Sequence, residues 1–214
     1  IHPAVDPDFF HPGEHLDSSD AVFRIVTIGS LVWVKGLEYA LLAVKMLVDA
    51  GVPVQFTIIG DGPERNRILY TIADLGLSSC VSLTGKLPPE RVRSHLQQSD
   101  VFLLSSLSEG ISNAVLEAMS CALPVVTSDC GGMREAVTDG KEGFVVPIRD
   151  HAAMAQALLK LWQSPDLRQS TGQAGREKVL KLFTLRNQVD QFHELFLHAA
   201  RVNTDSRSTK PEGS

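Results

Sequence analysis

Cysteine is scarce in this sequence: Cys80, Cys121 and Cys130 are the full set, and none belongs to a Cys-x-x-Cys pair. That usage speaks against a disulfide scaffold and fits a reducing compartment, so a cytoplasmic location is expected. Cys80 and Cys121 sit in apolar surroundings and read as core residues. The seven histidines are scattered without His-x-x-x-His or His/Cys clustering, which argues against a protein-built metal site. Long runs of one charge are also missing. With 20 basic against 25 acidic side chains the net charge is −5, and nucleic acid is excluded as a partner, since phosphates need a basic face. Apolar stretches stay under ten residues, too short to span a bilayer. No cationic-then-apolar leader opens the chain, so no secretion signal is read.

What is present is an ordinary globular composition, 43% hydrophobic over 214 residues, arranged as alternating short apolar runs and helix-forming segments. Phe23-Arg-Ile-Val-Thr-Ile28 and Val54-Gln-Phe-Thr-Ile-Ile59 are β-branched runs that predict buried strands, and Cys80 to Thr84, Asp100 to Leu104, Pro124 to Thr127 and Gly143 to Val146 follow the same pattern. Helices are predicted over about 36–50, from Arg65 to Leu75, from Pro88 or Pro89 to Gln98, and over Ala114 to Met119. After Asp150 the pattern turns wholly helical: one helix through Trp162, one from Pro165 to about Leu182, and one carrying Val189, Phe192, Leu195 and Phe196 on a single stripe. Trp162, Phe192 and Phe196 read as core. The alternation predicts an α/β fold, a doubly wound parallel sheet of six strands with C-terminal helices.

The stretch from Ser105 to Cys121 carries the strongest functional signal. Its polar loop joins the C-terminal end of a strand to a helix N-terminus, the edge where an open α/β sheet binds ligands because free N–H groups and the positive end of the helix dipole converge there. Gly110 admits a close ligand, and Ser112 or Asn113 can cap the helix. Two carboxylates, Glu109 and Glu117, frame the loop and suggest a ligand that combines phosphate with hydroxyls. In the loop Gly29-Ser-Leu-Val-Trp-Val-Lys-Gly36, Lys35 stands beside a second helix start, where a cation opposes the dipole unless an anion is held there. Gly60-Asp-Gly-Pro follows another strand and invites a dinucleotide reading. The third glycine is replaced by Arg65, and no acidic residue ends the next strand, which argues against a dehydrogenase. Gly131-Gly132 fits either close approach to a ligand or a tight turn.

Glu109-x7-Glu117 with Gly110 after the first Glu, Lys35-Gly36, Gly60-x-Gly62-Pro63, and the opening Pro3-Ala-Val-Asp6 followed by Phe10-x-Pro12 together resemble the retaining glycosyltransferases of family 4 (glycosyl transferases group 1), over roughly residues 3–197. The resemblance implies the C-terminal, donor-binding, Rossmann-like half of a GT-B fold, hexosyltransferase-type, with residues 1–20 an interdomain linker, 21–200 the nucleotide-sugar-binding domain and 201–214 a disordered tail; it also implies a last helix that crosses back onto the N-terminal domain, leaving part of the stripe with Phe192 and Phe196 exposed in these residues. It places Glu109 at the donor sugar as the catalytic candidate, Gly110, Ile111, Ser112 and Asn113 on sugar and diphosphate, and Glu117 on the ribose hydroxyls. Ser30 stands where the family has an arginine that grips the diphosphate together with Lys35. Gly60 closes the same sheet edge. Lys86 and Leu87 fall where the family frames the base, although a solvent-facing Lys86 is equally compatible with the residues. The implied partner is a nucleotide sugar, no cofactor or metal is called for, and the N-terminal acceptor-binding domain is missing from these residues. Membrane contact would be peripheral and made only through that domain. The alternative is a non-catalytic nucleotide-sugar-binding module serving a separate acceptor domain or chain.

Overall fold

The computed structural model of the chain describes residues 2–13 and 22–208. Six strands, β1 (Phe23–Ile28), β2 (Val54–Ile59), β3 (Val81–Gly85), β4 (Val101–Leu104), β5 (Val125–Ser128) and β6 (Gly143–Val146), form one sheet in the order β3-β2-β1-β4-β5-β6. Every pairing is parallel, from Phe23 opposite Val54 in β1–β2 to Ser128 opposite Val146 in β5–β6. A sheet of this kind hides both faces, and its central strand β4 is accordingly apolar throughout: all four of its residues are buried. Successive side chains still alternate. Val101 and Leu103 join one core, Phe102 and Leu104 the other.

The first core lies beneath α1 (Leu37–Asp49), α2 (Arg65–Asp74) and α6 (His151–Gln163). The second lies beneath α3 (Pro89–Gln97), α4 (Asn113–Ser120), α5 (Met133–Ala136) and α7 (Pro165–Leu182). Helices thus cover both faces, as a doubly wound fold requires. The α6 and α7 starts follow their sequence signals: Asp150 accepts from the Ala153 amide at 2.8 Å, and Ser164 accepts from the Leu167 amide at 3.3 Å, with Pro165 at the first helical position. Between β5 and β6, Glu142 is a buried carboxylate, 2% exposed. It accepts from the Thr138 amide at 2.7 Å and faces Lys178 of α7 at 3.6 Å and Lys141 at 3.7 Å. Burial alone would raise its pKa, but the Thr138 hydrogen bonds and the two ammonium groups outweigh that and hold it below the usual carboxylate range.

The opening segment is strapped to the domain. Val5 donates to the Phe183 carbonyl at 2.9 Å and bridges Thr184 in parallel. The Phe10 carbonyl accepts from Ser120 Oγ at 2.6 Å, and Arg93 lies 4.7 Å over the Phe9 ring. The remainder of the expected linker, residues 14–20, lies outside the described residues.

Two sequence expectations need correction. The last helix, α8 (Leu185–Ser208), continues through most of the stretch expected to be a structureless tail, because extending an anchored helix costs far less than starting one. Residues 209–214 lie outside the described residues. Phe192 and Phe196 are not core: they stack on each other at 6.4 Å and are 43% and 68% exposed. Both sheet faces are already covered by the preceding helices, so the α8 stripe has nothing left to bury against among the described residues. Trp162 does pack against the first core. No helix among the described residues is long and apolar enough to cross a membrane.

Candidate functional site

The strand order turns back between β1 and β4, and the loops that leave those two strands diverge to opposite faces. Such a switch point opens a crevice at the carboxyl edge of the sheet. Here the crevice is lined by Gly29, Ser30, Lys35, Leu104, Ser105 and Ser106 among others. The two loops are fastened across it. A 3₁₀ turn, Trp33–Lys35, presents its carbonyls to the β4 loop: the Leu107 amide donates to Val34 at 2.8 Å, and Ser105 Oγ donates to Lys35 at 2.9 Å. Above these bonds the Lys35 ammonium donates to Glu109 Oε2, which also accepts from Ser106 Oγ at 3.3 Å. Both charged side chains are about one-fifth exposed, at 21% and 20%.

Helix α4 starts at this pair. Ser112 occupies the N-cap position with extended backbone, but its side chain makes no capping bond, contrary to the expectation from sequence. The amides of Gly110, Ile111, Ser112 and Asn113 have no acceptor among the described residues. They point the positive end of a helix at open space, as Gly110 has no neighbour where a Cβ would stand. The loop is shaped from below by the β5–α5 turn. Gly131 has φ +53°, and a Cβ there would lie 1.6 Å from the Glu109 carbonyl oxygen, so Gly131-Gly132 serve close approach to the protein's own loop. Ile111 packs over Gly132.

Glu117 stands one turn into α4, half-buried, and its carboxylate has neither hydrogen bond nor ion pair to another described residue. Burial pushes its pKa up to about 7. A carboxylate in that state gains from any hydroxyl that can reach it.

The other expected site residues are placed unequally. Ser30 is exposed at the cleft rim. Gly60 is explained by packing: at φ +145° it lies against Gly29, whose carbonyl oxygen would be 1.9 Å from a Gly60 Cβ, and its amide donates to Gly85 at 2.9 Å. It is therefore a support of the β1 loop. Lys86 is exposed and Leu87 half-buried, both just after edge strand β3, two strand spacings or about 10 Å from β1. The fold does not bring them against Lys35; it sets them along the same edge. Residues not singled out by the sequence reading are the buried hydroxyls: Ser105, Ser106 and Ser128 are nearly inaccessible, and Ser128 Oγ donates to the Ser106 carbonyl. For Ser105 and Ser106 the signal was a pair of serines directly after an apolar strand. Arg134 and Glu135 form surface pairs, Arg134 with Asp129 and Glu135 with His2.

Comparison with known proteins identifies the fold and the family. The amylovoran biosynthesis glycosyltransferase AmsK of Erwinia amylovora is 37% identical over 168 residues, covering 74% of this chain and 40% of that protein. The chain thus spans well under half the length of this relative. Among solved structures, the sucrose-phosphate synthase of Thermosynechococcus elongatus superposes with a TM-score of 0.84 at 24% identity, covering 94% of this chain and 52% of that one. The Anabaena HepE protein in complex with UDP and glucose gives 0.81 at 19% identity, over 92% and 55% of the two chains. The sheet is thus the Rossmann-like fold of GT-B glycosyltransferases. With residues 15–178 matching the family profile, the chain belongs to the glycosyl transferases group 1 family.

Proposed function

We propose that this chain is the donor-binding, C-terminal half of a retaining family 4 glycosyltransferase, and that it seats a nucleoside diphosphate sugar in the cleft between β1 and β4. The observation that carries the reading is a cation held at the loop that leads into an uncapped helix start: Lys35 on Glu109, followed by the free amides of Gly110 to Asn113 and, one turn further on, the unpartnered Glu117 carboxylate. The diphosphate would lie on those amides and on the Lys35 ammonium, the ribose hydroxyls on Glu117, and the transferred sugar by Glu109. Toward the β3 edge, Lys86 and Leu87 would meet the base. Bond breaking loads charge onto the leaving diphosphate, and donors already aimed at that position stabilise it without reorganising. Glu109 positions donor hydroxyls in this scheme, and the scheme calls for no metal. HepE, of the same fold, is described with UDP and glucose bound.

A second reading, a binding module that serves a separate acceptor chain, rests on the same cleft. Either way the 214-residue chain alone is expected to bind nucleotide and to transfer nothing. Titration calorimetry with UDP, GDP and ADP tests this. One of the three should bind, and Lys35→Met should weaken it roughly tenfold or more, the scale of one charge-assisted hydrogen bond. Failure of all three at millimolar concentration, or a Lys35→Met protein that binds equally well, would end the reading.

A further inference from the structure

We propose that Glu109 makes the cleft discriminate between a nucleoside diphosphate sugar and the bare nucleoside diphosphate left after transfer, by contesting the Lys35 ammonium with the diphosphate. The inference rests on the donor-site reading above and adds a specificity-determining role to one of its residues.

The geometry that assigns this role is the double hold on Glu109. Its Oε2 accepts from Lys35 and from Ser106 at once, so the lysine meant for phosphate is neutralised within the protein. The backbones that carry both side chains are anchored. The Lys35 carbonyl is held by Ser105 Oγ and the neighbouring Val34 carbonyl by the Leu107 amide, while the Glu109 backbone rests on Gly131. A diphosphate arriving at the α4 amides therefore meets a fixed carboxylate beside the cation it needs. With both side chains about four-fifths covered, solvent screens that repulsion only in part.

The two ligands differ in what they offer Glu109. A bare nucleoside diphosphate draws Lys35 toward itself and leaves the carboxylate with the Ser106 hydroxyl alone, next to a like charge. An attached sugar brings hydroxyl donors to the same oxygens and restores the lost bonds. The repulsion is thus offset for the donor and left standing for the product, which promotes release of the diphosphate.

The test is the affinity of UDP, GDP and ADP, and of the corresponding nucleotide glucoses, for the 214-residue chain and its Glu109→Gln variant. Removing the charge should tighten the bare diphosphate about fivefold, the scale of a partly exposed charge pair, and should not tighten the sugar nucleotide. Glu109→Asp, which keeps the charge and shortens the reach, should bind the bare diphosphate no better than the parent. Unchanged or weaker diphosphate binding by a Glu109→Gln protein with parental melting temperature overturns the proposal and leaves the donor site intact. Equal weakening of both ligands would make Glu109 a mere prop for Lys35 and also overturns it. If neither protein binds any nucleotide, the donor-site reading falls and this inference with it.

Discussion

Gly131 lies directly beneath Glu109, so close that a Cβ on the glycine would stand 1.6 Å from the glutamate's carbonyl oxygen. The contact joins the β5 turn to the loop that shapes the cleft, and it tolerates no side chain. Gly131→Ala must shift the Glu109 loop and also place a Cβ at φ +53°, a conformation that costs alanine about 1 kcal/mol. Nucleotide affinity is expected to fall by at least tenfold while the sheet stays folded. Calorimetry together with far-UV circular dichroism would read both, and retained affinity would show that the loop needs no support from below.

Glu117 predicts a pH dependence. Its folded pKa, raised by burial to about 7, exceeds that of the unfolded chain, so the folded state binds more protons in between. Stability from this group is full at acid pH and is lost as pH rises through about 7. Glu117→Gln should remove that slope and melt higher than the parent at pH 8, with little difference at pH 4.5. Nucleotide binding should run the other way, strengthening as the carboxylate ionises and accepts ribose hydroxyls. A parental melting curve that is flat across this interval in comparison with the variant would contradict the assignment.

Ser30 offers a gain-of-function test. It is exposed at the rim on which Lys35 also opens, so an arginine there adds a second cation where a diphosphate would lie, with no burial to overcome. Ser30→Arg is expected to raise nucleoside diphosphate affinity by roughly tenfold and to steepen its decline with salt. Indifference to the substitution would place the diphosphate elsewhere.

The most buried ion pair tests stability apart from binding. Glu142→Ala leaves Lys178, its side chain only 16% exposed, without its carboxylate, and breaking a buried pair costs about 3 kcal/mol. Urea denaturation should register that loss. Nucleotide affinity should stay unchanged, because Glu142 lies in the β5–β6 connection and takes no part in the cleft.

Much of this architecture was legible in the residues. Phe23–Ile28 and Val54–Ile59 read as strands to the residue because β-branched runs bounded by turn formers have few alternatives, and Pro165 marked the start of α7 because it cannot sit deeper in a helix. Lys35, Glu109 and Glu117 could be nominated from their places beside helix starts. The pairing of Lys35 with Glu109 could not, since 74 residues separate them and only the strand order makes them neighbours. Gly60 shows a related limit: glycine reports that something comes close, not whether it is a ligand or the protein's own backbone. Phe192 and Phe196 misled because an apolar stripe declares that a face is sticky without saying that this chain supplies its cover.

The bridge between Val5 and Thr184 has a mechanical meaning. The incoming segment and the outgoing helix leave the domain side by side, fastened to each other before either departs. Any body tethered through both would be anchored at one shared place on the domain instead of two.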